Sequence, residues 1–255
     1  MTTTPMSLSP SPPGSFQLAS DEVHSWCASL DVPPETSARL HATLTPDERT
    51  RSARFHFKRD QQRFIVARGV LRDLLGRYLQ IQPSQITFVY NAFGKPDLGP
   101  ESGSRLKFNL SHSNGLALIA IATAANVGVD LEFIRAQSDY AVIAQRFFCK
   151  TEVDYLSALP GHLYAEAFFS CWTKKEAYLK ACGEGLAIPL NSFCVPLTTD
   201  PAHTALDLCG GWSLYTLRPA PGYAGALAIE GTGWHLRQWQ WQWQILTVSS
   251  EPAKC

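Results

Sequence analysis

Two stretches hold the residues whose types and spacing could do chemistry. In Gly128-Val129-Asp130-Leu131-Glu132, two carboxylates stand two apart on an expected strand, so both project from one face while Val129 and Leu131 pack on the other. Such a pair often sits on a solvated edge. Here Val129, Leu131, Phe133 and Ile134 imply a largely buried strand, where uncompensated carboxylates are costly. A cation between them answers that cost. Oxygen donors without a suitably placed histidine or cysteine suit Mg2+, or Mn2+ in its place. The second stretch, "CWTKKEAYLKACGEGL" from Cys171 to Leu186, sets Glu176 four residues ahead of Lys180 on an expected helix. As a surface ion pair that spacing is worth only ~0.2–0.5 kcal/mol. If the polar stripe faces the strand instead, Glu176 becomes a third carboxylate for the ion or a base beside it. Lys175 and Lys180 then become cations beside bound phosphates. Spacing leaves both uses open.

Positioning these residues falls to elements legible from periodicity. A first strand is expected at "EVHSWCASL", short helices between Pro34 and Phe55, and a long helix over "KRDQQRFIVARGVLRDLLGRYL" that buries Phe64, Ile65, Leu71, Leu74, Leu75 and Tyr78 on one face. Strands follow at "ITFVY", "LKFNLS", "LALIAIA" and "VGVDLEFI". Helices come next at "YAVIAQRFF", "KTEVDYLSAL" and "YAEAFFSCWTKKEAYLKAC", with Gly183 as the C-cap of the last. Strands near "SFCV", "WSLYTL", "GALAIE" and "WHLRQWQWQWQIL" close the chain, while "VPLTTDPAHTALDLCGG" reads as a loop. Helices then strands, twice, predict an α+β (α/β) protein of two similar subdomains joined near Thr123 to Gly128. The division expected is a disordered tail over residues 1–15, then subdomains over 16–124 and 125–255.

Bulk properties narrow the function classes. The 255 residues carry 22 basic and 22 acidic side chains, so no net field draws the chain to nucleic acid or an anionic membrane. No run approaches a membrane span, and the Ser/Thr/Pro-rich start lacks the regions of a signal peptide. Seven cysteines without CxxC or metal-finger spacing are expected to be reduced thiols in a cytoplasmic protein.

Both chemical stretches resemble the signatures of the Sfp-type 4′-phosphopantetheinyl transferases, a G-(V/I)-D-x-E strand and a W-x-x-K-E-(A/S)-x-x-K helix, the latter standing here as Trp172 to Lys180. "GKP" (Gly94, Lys95, Pro96), "FNLSHS", "RFFCKTE" and "GLAIPLNSF" also look like family text, in family order, and the similarity runs from about Thr45 to Val195. The resemblance implies a pseudo-dimer with coenzyme A in the cleft. It implies Mg2+-dependent transfer of the phosphopantetheine arm to a serine of an apo acyl or peptidyl carrier protein, with release of adenosine 3′,5′-bisphosphate. This is the holo-[acyl-carrier-protein] synthase reaction, in the large monomeric rather than the short trimeric type. Carried over residue by residue, Asp130, Glu132 and Glu176 would hold the metal, with Glu176, directly or through a water, the base for the serine. Lys180 would act on the pyrophosphate and leaving phosphate, and Lys175 would add a phosphate contact. Ser111 and His112 would meet the 3′-phosphate, with Arg63, Gly94, Lys95 and Pro96 completing the nucleotide site.

One segment departs from the pattern. In "TPDERTRSARFHF" a basic family position falls on Glu48, with Arg49 and Arg51 close enough to serve, of which Arg51 is the candidate for a phosphate. A Ser111–His112 hydrolase dyad is disfavoured because strand neighbours point to opposite faces. Trp239, Trp241 and Trp243 alternate with glutamines and read as a packed strand face rather than a docking surface. The contrasting class is a non-catalytic protein on the same fold that binds coenzyme A or a carrier, with a Mg2+-dependent nucleotide-processing enzyme as fallback. A binding module has no need of Asp130, Glu132, Glu176 and Lys180 together.

Overall fold

The structure, a computed structural model, describes residues 16–135, 139–197, 204–206 and 211–242. Its order is β1 (Glu22–Ser29), α1 (Pro34–Ala42), α2 (Pro46–Ser52), α3 (Lys58–Leu79), β2 (Phe88–Tyr90), β3 (Pro96–Leu98), β4 (Leu106–Ser113) and β5 (Leu116–Thr123). Then come β6 (Val127–Phe133), α4 (Tyr140–Phe147), α5 (Lys150–Ala158), α6 (Gly161–Cys182), β7 (Thr204–Leu206), β8 (Trp212–Leu217), β9 (Tyr223–Glu230) and β10 (His235–Gln240). The fold is the expected α+β mixture. Each half begins with a strand, runs through three helices, and returns to strands. The sheet orders, β10-β1-β5-β4 and β6-β9-β8-β7, repeat one scheme in which the opening strand pairs with the last strand of its own half.

Alternation along the strands builds four layers. In β5, Ala117, Ile119 and Ile121 pack toward α3, while Leu118, Ala120 and Ala122 face the second sheet. In β6, Val127, Val129 and Leu131 face the first sheet, which leaves Gly128, Asp130 and Glu132 on the side of α6. The cores thus lie between α3 and one sheet, between the two sheets, and between the other sheet and α4–α6. Each fully buried Leu or Ile in them contributes about 1.5–3 kcal/mol relative to an exposed one.

Several expectations change. Helix α3 is buried almost all round from Val66 to Gly76, with Phe64, Ile65 and Tyr78 only half-buried, because α1 and the 83–86 segment cover the face that the sheet does not. Even Arg72 is enclosed, donating to Glu48, Pro83 O and Ile86 O. "SFCV" forms no strand: its Phe193 carbonyl is taken by buried Lys175 and its Val195 amide by Glu152. Two short strands were missed, β3 and the β7 that interrupts the expected loop. Strand β10 pairs in parallel with β1, so a cut at residue 124 would remove one strand from the first half's sheet. Cys149 and Cys194, expected as thiols, are joined by a disulfide, because folding brings together two cysteines 45 positions apart in the chain. Cys27 and Cys171 are free and buried, and burial pushes the Cys27 thiol up to about 12. Trp239 stacks on Trp26 and Trp241 donates to Asp73, so both pack inside, while Trp243 and the 1–15 tail lie outside the described residues. No described helix is long and apolar enough to cross a membrane.

Candidate active site

The site forms where β4, β6 and α6 converge. Strands β4 and β6 are held side by side by side chains rather than by a ladder: Val129 N donates to Asn109 Oδ1 (2.9 Å), Ser111 Oγ to Asp130 Oδ1 (3.0 Å) and Ser113 Oγ to Glu132 Oε2 (3.0 Å). Helix α6 lies across β6 at Gly128, where a Cβ would stand 2.1 Å from Ala177 O and 2.3 Å from Ala181 N. The missing side chain lets strand and helix backbones touch. On α6, Glu176 and Lys180 then share the face turned to β6, and the helix stops at Gly183 (φ +75) as expected.

Lys180 Nζ lies 2.5 Å from Asp130 Oδ1 and 3.0 Å from Ser111 Oγ. Asp130 is 3% exposed, and its Oδ2 is buried with no hydrogen-bond partner. Glu176 is half-buried; desolvation first, then the Asp130 charge, raises its carboxyl above the usual range, against an opposing pull from Lys180. Glu132 is raised by the same two causes. Three carboxylates thus face one ammonium, and that excess of negative charge with an orphaned inward oxygen suits a hard divalent cation. Their oxygens are not all within 4.8 Å of one another, and Lys180 occupies the place beside Asp130.

The other expected residues divide. Gly94, Lys95 and Pro96 wall a cavity of about 300 Å3 with Glu176 and Lys180, so the structure joins these groups in one cleft. Lys95 Nζ, however, donates to Ala181 O (2.9 Å) and Val127 O (3.2 Å), and burial lowers its pKa to about 8. It fastens the loop to α6. Asn91, which the sequence reading missed, shapes that loop by accepting from Phe93 N and Lys95 N and donating to Gly183 O. Ser111 and His112 do point to opposite faces: Ser111 is buried at Asp130, on the carboxylate side, while His112 is exposed. Desolvation by its surroundings, then Lys180 and Arg63, lowers the His112 pKa. Arg63 is held by Asp31, and Arg51 is exposed on α2 with its guanidinium 5.5 Å from the Phe64 ring centre. Glu48 caps α2 from N3 and pairs with Arg72, so this acid is structural.

Lys175 is not brought to the site. It is fully buried on the far side of α6, paired with equally buried Glu152 (2.9 Å) and donating to Leu190 O (2.7 Å) and Phe193 O (2.6 Å). Its neighbour Lys174 donates to Pro196 O (2.8 Å). The reason is angular: successive helix residues are 100° apart, so the lysines before Glu176 point away from it. They pin the 190–196 segment. Asn109 and Ser113, not singled out in the sequence, were findable, since they alternate with Ser111 on one face of β4, where Asn109 accepts from Val129 N and the two serines meet Asp130 and Glu132.

Comparison with known proteins gives the family. Residues 126–228 match the model of the 4′-phosphopantetheinyl transferase superfamily, and residues 33–124 match that of the 4′-phosphopantetheinyl transferase N-terminal region. The chain is 44% identical over 232 residues to the 4′-phosphopantetheinyl transferase HetI of Nostoc sp., covering 90% of this chain and 96% of that one. It is 31% identical over 196 residues to the 4′-phosphopantetheinyl transferase Sfp of Bacillus subtilis, covering 76% and 85% respectively. Matched across both halves, and through the strand and helix that carry its carboxylates, the chain belongs to the 4′-phosphopantetheinyl transferase superfamily.

Proposed function

We propose that this protein transfers the 4′-phosphopantetheine arm of coenzyme A to a serine of an apo acyl or peptidyl carrier protein, with Mg2+ as the divalent ion. Enzymes of this family take coenzyme A as substrate and typically a divalent metal, and act on carrier proteins. The observation that carries the reading is the buried, unpartnered Asp130 Oδ2 among three carboxylates that one lysine does not balance. Asp130, Glu132 and Glu176 would hold the ion, whose bound charge would neutralise the carboxylates and polarise the pyrophosphate.

The chain's own groups do the rest. Glu176 accepts the proton of the carrier serine, directly or through one water, as a half-buried carboxylate on the face of α6 turned to β6. The serine oxygen bonds to the β-phosphorus while the bond to the bridging oxygen breaks, and Lys180 neutralises adenosine 3′,5′-bisphosphate as it leaves. Ser111 holds Lys180 and Asp130 in register. His112 and Arg63 hold the 3′-phosphate, and the Gly94–Pro96 wall of the cavity takes the nucleotide. A non-catalytic binding role is not favoured, because it leaves the carboxylate group and Lys180 without a use.

The test is the intact mass of purified apo carrier proteins from several pathways after incubation with the protein, coenzyme A and Mg2+. A gain of one phosphopantetheine arm, abolished by EDTA, is expected. No gain with any carrier, despite coenzyme A binding, would overturn the reading. A monomer in the cytoplasm belongs to the same proposal. Light scattering tests the first point, and fractionation with a count of thiols at Cys149 and Cys194 tests the second.

A further inference from the structure

Arg63 and Asp31 make a bidentate pair, Nε to Oδ1 at 2.9 Å and Nη2 to Oδ2 at 2.8 Å. Arg63 comes from α3 and Asp31 from the chain just after β1. The pair lies against Gly115, in the turn between β4 and β5, where φ is +90°. A Cβ there would stand 2.8 Å from Asp31 Oδ2 and 2.9 Å from Arg63 Nη2, so a side chain at this position would displace the pair as well as strain the turn. The turn is itself fixed from two directions. Gly115 O accepts from Leu30 N (2.8 Å), and Asn114 O accepts from the Tyr223 hydroxyl (2.7 Å) of β9, in the other half.

Stability does not explain this arrangement. Asp31 is 62% exposed, and exposed ion pairs contribute only about 0–1 kcal/mol. What a bidentate carboxylate does supply is direction, because it fixes the plane of the guanidinium. Nε and Nη2 are spent on Asp31, and Nη1 takes no part in the pair. His112 lies on β4, three residues before Gly115, and is near enough to Arg63 to feel its charge, so the guanidinium and the imidazole border the same space.

We propose that Asp31 is a positioning residue that holds Arg63 against the Asn114–Gly115 turn beside His112, and that the protein's preference for coenzyme A over its analogue without the 3′-phosphate depends on it. This rests on the reading of His112 and Arg63 as the 3′-phosphate contacts. A preorganised donor spares the ligand the entropy of ordering a long, free arginine, and the gain appears as affinity for the one phosphate it meets.

The experiment measures KM and kcat for coenzyme A and for dephospho-coenzyme A, with an apo carrier and Mg2+, in the wild type and in Asp31→Asn. Asparagine keeps the size but loses the charge and the second acceptor oxygen. The expected result is a KM for coenzyme A raised about tenfold, with that for dephospho-coenzyme A unmoved and the change in KM rather than kcat. A purely structural role would shift both substrates alike, and a role as competitor of the phosphate would lower the KM for coenzyme A. Either result overturns the proposal. If Asp31→Asn does not fold, Asp31→Glu, which keeps the charge but displaces the guanidinium by one methylene, must show the same selective loss. A wild type that does not distinguish the two substrates overturns the 3′-phosphate contacts and this proposal with them. Absence of transfer from either substrate marks failure of the proposed reaction instead.

Discussion

Gly128→Ala probes the contact on which the site is built. The added Cβ would meet Ala177 O at 2.1 Å, Ala181 N at 2.3 Å and Ala181 Cα at 2.9 Å, all of them backbone with no flexible side chain to yield. Ordinary contact begins near 3.4 Å, so α6 must retreat from β6 by about 1.3 Å at the turn that bears Glu176 and Lys180. Overpacking of this kind costs about 1–3 kcal/mol in stability. The functional loss should be larger, because the 2.5 Å approach of Lys180 to Asp130 opens and a displacement of roughly 1 Å in a catalytic array costs about 100-fold in rate. Two assays separate the effects: urea unfolding for stability, and intact-mass transfer to an apo carrier at saturating Mg2+ and coenzyme A for rate. Gly225→Ala on neighbouring β9 is the control, since its Cβ would find no atom nearer than 3.3 Å. A Gly128→Ala protein with wild-type stability and rate would refute the idea that close backbone contact sets the distance between the carboxylates.

Other outcomes follow from the same geometry. Lys175→Met leaves Glu152 buried without its cation, though still accepting from the Cys149 and Val195 amides, and should lower stability by about 3–5 kcal/mol in urea unfolding; Glu152→Gln with Lys175→Met should recover part of that. Lys180→Ala should lower kcat more than it weakens coenzyme A binding by calorimetry, and an effect on binding alone would make Lys180 a phosphate anchor only. Asp130→Ala should abolish transfer in matched Mg2+ while far-ultraviolet circular dichroism is unchanged; full turnover would remove it from the metal site. His24 is buried against Tyr78, and desolvation lowers its pKa from 6.5 to about 4. The fold therefore prefers the neutral ring, so this contribution is complete above about pH 6.5 and is lost as pH falls toward 4, by up to ~3 kcal/mol. His24→Gln should flatten that slope in unfolding curves taken between pH 4 and 7.

The elements legible in the sequence were those with a long regular period. Helix α3 falls on the span that its pattern marks, and β5, β6 and α6 lie within two or three residues of theirs. What misled was context. "SFCV" has the residues of a strand, yet Lys175 captures the carbonyls of Leu190 and Phe193, and Glu152 the amide of Val195. The "PDL" of β3 and the "TAL" of β7 are too short for any period to show.

At the site, Asp130, Glu132, Glu176 and Lys180 stand out because charge is rare in apolar strands and helices, and local spacing puts each pair on one face. The sequence alone determined that much, along with the family text around it, since a strand of period two and a helix of 3.6 need no distant partner to define their faces. Which way those faces turn was decided only by packing. The tertiary structure aims Glu176 and Lys180 at β6 through the bare contact at Gly128 and sends Lys175 to Glu152. It sets the serines of β4 beside the acids of β6, turns Lys95 onto backbone carbonyls, joins Cys149 to Cys194 and seats Asp31 on Arg63. Each of these joins residues from separate elements, and such a pairing depends on how layers stack, a quantity that no local pattern of residues contains.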